Sequence, residues 1–112
     1  MGSTIDSLLT NYGDESYFDE DFFMLIRTYM PLIRNGAVTT LTPTNQQLYK
    51  YQGDFYGLLG ELGVAKQYYY ATLLLNNLFS STDFQSSMQT IMIPDESYID
   101  MLHSVYTTTF TT

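Results

Sequence analysis

Apolar side chains recur every three to four residues in several stretches of the chain, and this spacing predicts amphipathic helices. The clearest stretch is 19–34, where acidic residues stand at the start and arginines toward the end, as the helix dipole favours. Pro31 predicts a kink or a stop inside it, and Asn35-Gly36 is a typical helix terminus. The same spacing predicts further helices at 4–12, 55–62, 65–75 and 95–105.

Short β-branched or apolar runs between these helices predict strands. Three such runs are 37–41, 48–51 and 90–93. The uncharged tail 107–112 is rich in threonine, so we expect it to be extended and able to add a strand to the sheet edge of a neighbour. Helices mixed with a few short strands in 112 residues predict one α+β domain.

The composition changes this picture by showing what kind of surface the domain has. Apolar residues make up 45% of the chain, which allows a hydrophobic core, whereas only 14% of the residues are charged. The chain has eleven Tyr and seven Phe but no Trp. Tyrosine is enriched where proteins meet partners, because its ring is apolar and its hydroxyl is polar. A neutral, aromatic surface of this kind is typical of a component of an assembly.

The charge balance disfavours direct binding of nucleic acid. The formal net charge is −8, and four Lys and Arg cannot neutralise many phosphates. An acidic protein can instead mimic DNA, but here five of the twelve acids crowd into 14–21. Without cysteine there is no disulfide or thiolate chemistry, and no apolar run reaches the 18 or so residues that span a bilayer, so we expect no membrane segment.

The residues that carry catalytic or metal chemistry do not form a recognisable set. His103 is the single histidine, without a second histidine or a cysteine to share a metal and without a nucleophile motif to complete a triad. The acids at 14–21 lack the alternating ligands and central glycine of a calcium loop, so we interpret them as a solvated face or a contact for a basic neighbour. Asp54 and Glu61 have the spacing of solvent-facing helix positions rather than of a glycosidase pair. We expect no enzyme activity, no metal and no cofactor.

The middle of the chain carries an ordered set of turn residues. These are Gly53-Asp54, Gly63-Val64, Asn76-Asn77-Leu78 and the segment Ile91-Met92-Ile93-Pro94. In this order and spacing they resemble the LysM module, in which a strand, two helices and a second strand follow one another. The resemblance implies a βααβ core at 48–94, preceded by a helical segment and connector at 1–47 and followed by a helix and tail at 95–112.

The resemblance also implies where a ligand would lie. In the LysM family, polymers of N-acetylglucosamine bind between the loop after the first strand and the loop before the last one. The chain departs from the family's pattern there, with Phe55 in place of the usual threonine and Met88-Gln89 in place of a glycine. The residues that would line this groove are Asp54, Phe55, Tyr56, Leu78, Phe79, Ser80 and Ser81.

LysM-like modules also serve as structural brackets in the tails and baseplates of bacterial viruses. A lone module flanked by helices and an uncharged tail is more similar to these, so the resemblance implies a virion protein that assembles in the host cytoplasm with other virion proteins in many copies. Two alternatives stay open, namely a peptidoglycan- or chitin-binding module and an acidic inhibitor that mimics DNA. We expect the partner contacts to include Tyr12, Asp14, Glu15, Tyr17, Phe18, Tyr68, Tyr70 and Phe110.

Overall fold

The computed structural model describes residues 13–110, with side chains described from 15 to 108. Within this range the chain forms five α-helices, three short 3₁₀ helices and one two-stranded sheet, which confirms the α+β class. The α-helices are α1 (Glu20–Asn35), α2 (Asn45–Lys50), α3 (Phe55–Glu61), α4 (Tyr69–Leu75) and α5 (Glu96–Phe110), the strands are β1 (Thr39–Leu41) and β2 (Ile91–Ile93), and the 3₁₀ helices are Gly13–Phe18, Lys66–Tyr68 and Ser81–Asp83.

The two strands pair antiparallel, with Thr39 opposite Ile93 and Leu41 opposite Ile91. The strand predicted at 48–51 is wrong, because these residues belong to α2 and the turn that follows it. A capping box at Thr44 and Gln47 satisfies free amides of that helix, and this local bonding outweighs the strand tendency of so short a segment. The partner of β2 therefore lies before residue 48, in the run predicted at 37–41.

Two other predictions concern where helices end. Of the two outcomes predicted at Pro31, the stop is wrong, because α1 continues through this exposed residue to Asn35, and the predicted terminus at Asn35-Gly36 is confirmed. The extended tail is also wrong as far as residue 110, because α5 continues to Phe110, and Thr107 Oγ1 donates to the Ser104 carbonyl 3.1 Å away. The predicted helix 4–12 lies outside the described residues.

Most of the core packs around α1. Its buried side chains follow the helical repeat, with Phe22, Ile26, Met30 and Ile33 on one face. Helix α1, the longest described helix, contacts both α4 and α5, so it packs against helices from the middle and from the C-terminal part of the described chain. The predicted helix terminators are confirmed as left-handed residues: φ is +88° at Gly63, after α3, and +63° at Asn77, after α4. Other fully buried core residues are Phe55, Leu58, Leu59, Ala71, Phe84, Ile91 and Ile99.

One side chain joins the helices to the sheet. The Asn76 Oδ1 atom accepts a hydrogen bond from the Met92 N–H at 2.8 Å, and its Nδ2 atom donates to the Met92 carbonyl at 2.9 Å and to the Thr72 carbonyl at 2.7 Å. Asn76 is only 6% exposed. Its amide thus bonds both backbone groups of Met92, as a neighbouring strand would, on the edge of β2 that faces away from β1.

Within 13–110, no helix combines the length and the apolar character that crossing a bilayer requires.

Candidate protein-interaction surface

The structure brings together the two loops between which the sequence predicts a glycan groove. The Tyr56 N–H donates to Ser81 Oγ at 2.9 Å, and the Gly53 N–H donates to the Phe84 carbonyl at 2.9 Å. Asp54 caps α3, since its Oδ1 accepts a hydrogen bond from the Gly57 N–H at 3.0 Å. The loops therefore meet, but they are joined directly to each other by hydrogen bonds.

Several of the predicted groove residues are not available to a ligand between these loops. Phe55 and Leu78 are buried, and the Phe55 ring packs 5.5 Å from that of Phe84, so the prediction that they line a groove between these two loops is wrong. Ser80 begins the 3₁₀ helix Ser81–Asp83 through a capping box with Asp83. Apolar side chains beside a tight turn pack inward when the turn itself covers them.

Two of the predicted partner contacts are also wrong, because Tyr17 and Tyr68 are buried. Both hydroxyls donate to Asp100 Oδ1 on α5, at 2.7 Å from Tyr17 and 2.9 Å from Tyr68. Burial, together with the bond to Asp100, raises the pKa of Tyr68 to about 12. Tyrosine rings are broad enough to complete a core while the hydroxyl reaches a carboxylate at its edge.

His103 lies in the same cluster. Its ring stacks on that of Tyr17 with centroids 3.6 Å apart, Phe22 meets it edge-on, and its Nε2 is hydrogen-bonded to Ser16 Oγ. The imidazole is thus held between aromatic rings, and the serine and histidine together fasten the first 3₁₀ helix to α5. No set of three His, Cys, Asp or Glu side chains among the described residues is arranged to hold a metal ion.

Three predicted contacts do reach the surface: Glu15 is exposed, Phe18 is 50% exposed and Tyr70 is half-buried. Tyr12 and the side chains of Asp14 and Phe110 lie outside the described part of the chain. Phe18 and Tyr70 share one depression, which we call the aromatic groove. Its volume is about 390 Å³, and its lining consists of Phe18, Phe23, Tyr56, Lys66, Gln67, Tyr69 and Tyr70.

The aromatic groove is built from ring pairs. Phe23 of α1 stacks on Tyr70 of α4 with centroids 4.1 Å apart, and Tyr56 packs 5.1 Å from Tyr69. Burial raises the pKa of Tyr56, and burial with a smaller effect of the Asp54 carboxylate raises that of Tyr69, so both hydroxyls stay neutral at physiological pH. The groove therefore offers neutral ring surface.

A second depression, the distal groove, continues along the same two helices. Its volume is about 260 Å³, and Phe79 stands at its side with 90% of its surface exposed. Arg27 connects the two grooves, because it lines the distal one and donates to the Tyr70 hydroxyl of the aromatic one. The distal groove is lined by Arg27, Met30, Arg34, Leu74, Asn77, Leu78 and Phe79.

Sequence reasoning missed these grooves because they depend on how α1 and α4 pack together. Residues 23 and 70 are far apart in the chain, and no local pattern pairs them. One signal was present: three consecutive tyrosines on a helix, 68–70, point in different directions, so they cannot all be buried on one face. Tyr68 faces the core, while Tyr69 and Tyr70 line the groove.

Comparison of the chain with protein-family models, with curated proteins and with solved structures finds no match. The role of the two grooves is therefore inferred from their own residues.

Proposed function

We propose that the chain is a non-enzymatic structural protein that acts through protein–protein contacts, as a component of a bacteriophage tail or baseplate. The observation that carries the proposal is the pair of grooves along α1 and α4, with Phe18 half exposed in one and Phe79 almost fully exposed beside the other. Exposed aromatic rings beside preformed grooves are typical of the anchors at protein interfaces.

The chemistry of the aromatic groove favours a protein ligand over a sugar. Its lining is mostly ring carbon, and its polar groups are Lys66, Gln67 and the tyrosine hydroxyls. The Tyr70 hydroxyl already accepts a hydrogen bond from Arg27. A sugar needs several placed hydrogen-bonding groups for its hydroxyls, whereas an aromatic or aliphatic side chain needs apolar surface.

The assignment to a virion rests on the LysM-like pattern. Gly63, Asn77 and Pro94 stand at the element ends where that pattern requires them. On this proposal β1 and β2 are the two strands of the module, and α2 is an insertion between β1 and the turn at Gly53-Asp54. The acidic start of α1 would then dock against a basic neighbour in the assembly.

A glycan-binding module is the second candidate, and one observation favours it. Phe79, one of the residues predicted to line the sugar groove, is 90% exposed, so its ring is open to stacking on a sugar even though the two loops bond to each other. Sedimentation of the purified chain with insoluble peptidoglycan and chitin separates the two candidates, because the structural role predicts that it stays in solution.

The structural role is tested with the products of the genes that flank this one. We expect the chain to form a stable complex with at least one of them on co-expression, and to be detected by mass spectrometry in purified virions. Phe79→Ser should weaken that complex. Tyr49→Ser, which removes a 73% exposed ring from α2, is the matched control and should leave it intact.

Absence of the chain from the virion, or sedimentation with either glycan, would overturn the proposal. A complex that tolerates Phe79→Ser would show that the chain has a partner but docks it on another face.

A further inference from the structure

Resting on the proposed contact role, we infer that the face formed by the aromatic and distal grooves binds an acidic segment of another protein that carries large apolar side chains. We call this surface the α1–α4 face. The proposal names the chemistry of the partner, which the contact role alone leaves open.

The charges of the α1–α4 face are opposite to those of the whole chain. The protein has a net charge of −8 with twelve acids and four Lys and Arg, yet three of these four cations, Arg27, Arg34 and Lys66, line the two grooves. As far as the described side chains go, the lining of neither groove contains an Asp or a Glu.

Among the residues with described side chains, no carboxylate neutralises these three cations either. Lys50 is paired with Glu61 at 3.4 Å, outside this face. Within the described chain, no Asp or Glu lies at ion-pair distance from Arg27, Arg34 or Lys66. The chain has three times as many acids as cations, yet three cations on one face have no carboxylate partner in the described part of the chain, which favours an acid of another protein as their partner.

The positions of the cations relative to the apolar surface set the pattern of the ligand. Lys66 stands at the aromatic groove, Arg34 at the distal groove and Arg27 between the two. Arg34 also donates to the Leu74 and Leu75 carbonyls at the end of α4, which fixes its guanidinium in place. A ligand that places one large apolar side chain in each groove would bring an acidic residue between them next to Arg27.

The spacing of the two grooves follows from the positions of their lining residues along α1. At the rise of an α-helix, Phe23 of the aromatic groove lies about 6 Å along α1 from Arg27, the first residue of α1 that lines the distal groove, and about 16 Å from Arg34, the last one. A helix with apolar residues about two to three turns apart on one face would fit both grooves, and so would a short extended segment. The Debye length is about 8 Å at physiological ionic strength, so an acid of the ligand is attracted mainly by the cation that it lies beside and not by the cations of both grooves together.

A second copy of the chain is a poorer occupant. If α1 met its own copy antiparallel, so that Glu20 faced Arg34, the centre of the pairing would place Arg27 against the same residue of the copy. Like charges at the centre of an interface oppose binding. A different protein with acids opposite Arg27 has no such conflict.

The test is a selection of random peptides, long enough to span both grooves, on the immobilised full-length chain. Parallel selections use Arg27→Glu and, as the matched control, Lys50→Glu, which changes the net charge equally but lies away from the face. We expect the wild-type chain and the control to enrich acidic peptides with aromatic or large aliphatic residues. These peptides should bind Arg27→Glu about tenfold or more weakly, and far-ultraviolet circular dichroism should show that each variant is folded.

Each other outcome counts against a distinct part of the inference. Enriched peptides that are neutral or basic, yet lose binding with Phe79→Ser, would overturn the acidic partner and leave the contact role standing. Equal binding by Arg27→Glu would overturn the face itself. Concentration-dependent dimers that compete with the peptides would assign the face to a second copy. Failure to enrich any peptide, with sedimentation on peptidoglycan or chitin, would overturn both this inference and the contact role.

Discussion

Replacing Asn76 by alanine should test how much stability the link between α4 and the sheet provides. The substitution removes the hydrogen bonds to the Met92 N–H and carbonyl and one of the bonds to the Thr72 carbonyl. The Thr72 carbonyl keeps its bond to the backbone N–H of residue 76, so that loss is small. The two groups of Met92, in contrast, lose the partner that the asparagine side chain supplied.

The magnitude follows from those two groups. Each buried backbone group left without a partner costs about 1–3 kcal/mol, and water admitted by the smaller side chain restores part of this. We therefore expect Asn76→Ala to lower the free energy of unfolding by about 2–4 kcal/mol. A domain of this size has about 5–15 kcal/mol in total, so the variant should still fold at room temperature.

Urea unfolding followed by circular dichroism at 222 nm gives the measurement, since the chain has no tryptophan to report by fluorescence. Asn77→Gly is the matched control, because it removes only the exposed hydrogen bond from Arg34 to Asn77 Oδ1 and keeps a residue that tolerates φ of +63°. We expect the control to change the free energy of unfolding by less than about 0.5 kcal/mol. A loss below about 1 kcal/mol for Asn76→Ala would refute the role of this side chain as a substitute strand.

Three further predictions concern the core and its edges. The pKa values of Tyr68 and Tyr106 are both raised to about 12, so the folded state keeps protons that the unfolded state releases near pH 10. The free energy of unfolding should therefore be fully present below pH 10 and fall as the pH rises toward 12. A urea unfolding midpoint that stays constant across that range would contradict this. Gly63→Ala places a β-carbon on a residue with φ of +88°, so it should lower the free energy of unfolding measured in urea by about 1–2 kcal/mol. An unchanged free energy would mean that the turn relaxes to accept the β-carbon. Phe84→Ala should lower the free energy of unfolding by about 3–5 kcal/mol, because the ring is fully buried. Phe79→Ala removes a ring that is 90% exposed and should change thermal stability little. Equal losses in the two variants would show that Phe79 is covered in solution.

The parts of the fold that the sequence predicts correctly depend on local signals. The acids and arginines at the two ends of α1, the left-handed residues Gly63 and Asn77, and the run 90–93 before Pro94 each act within a few positions. Such signals stabilise the same local structure in most tertiary contexts.

The errors arise where a local tendency competes with something else. At 48–51 the capping box at Thr44 and Gln47 favoured a helix over a strand of four residues. Tyr17 and Tyr68 were expected at the surface because tyrosine is common in interfaces, but Asp100 accepts both hydroxyls and allows the rings to be buried. Burial of a tyrosine depends on a partner distant in sequence, and composition does not contain that information.

The same dependence explains why the α1–α4 face was not predicted. Phe79 was assigned to a groove between two loops, but those loops bond to each other, and the ring instead stands beside a depression lined by Arg27 and Arg34. The aromatic residues were visible in the sequence. Their arrangement along two parallel helices was not.

Side-chain contacts hold the beginning of the described chain against α5, its last helix. Tyr17 bonds Asp100 and Tyr106 donates to Asp19, so residues more than 80 positions apart hold the beginning of the described chain to its last helix. A single protease cut in the partly exposed segment 85–89 would consequently leave two fragments bound to each other by these bonds and by the β1–β2 pair. The two halves of the molecule would then stay together without an intact backbone at that loop.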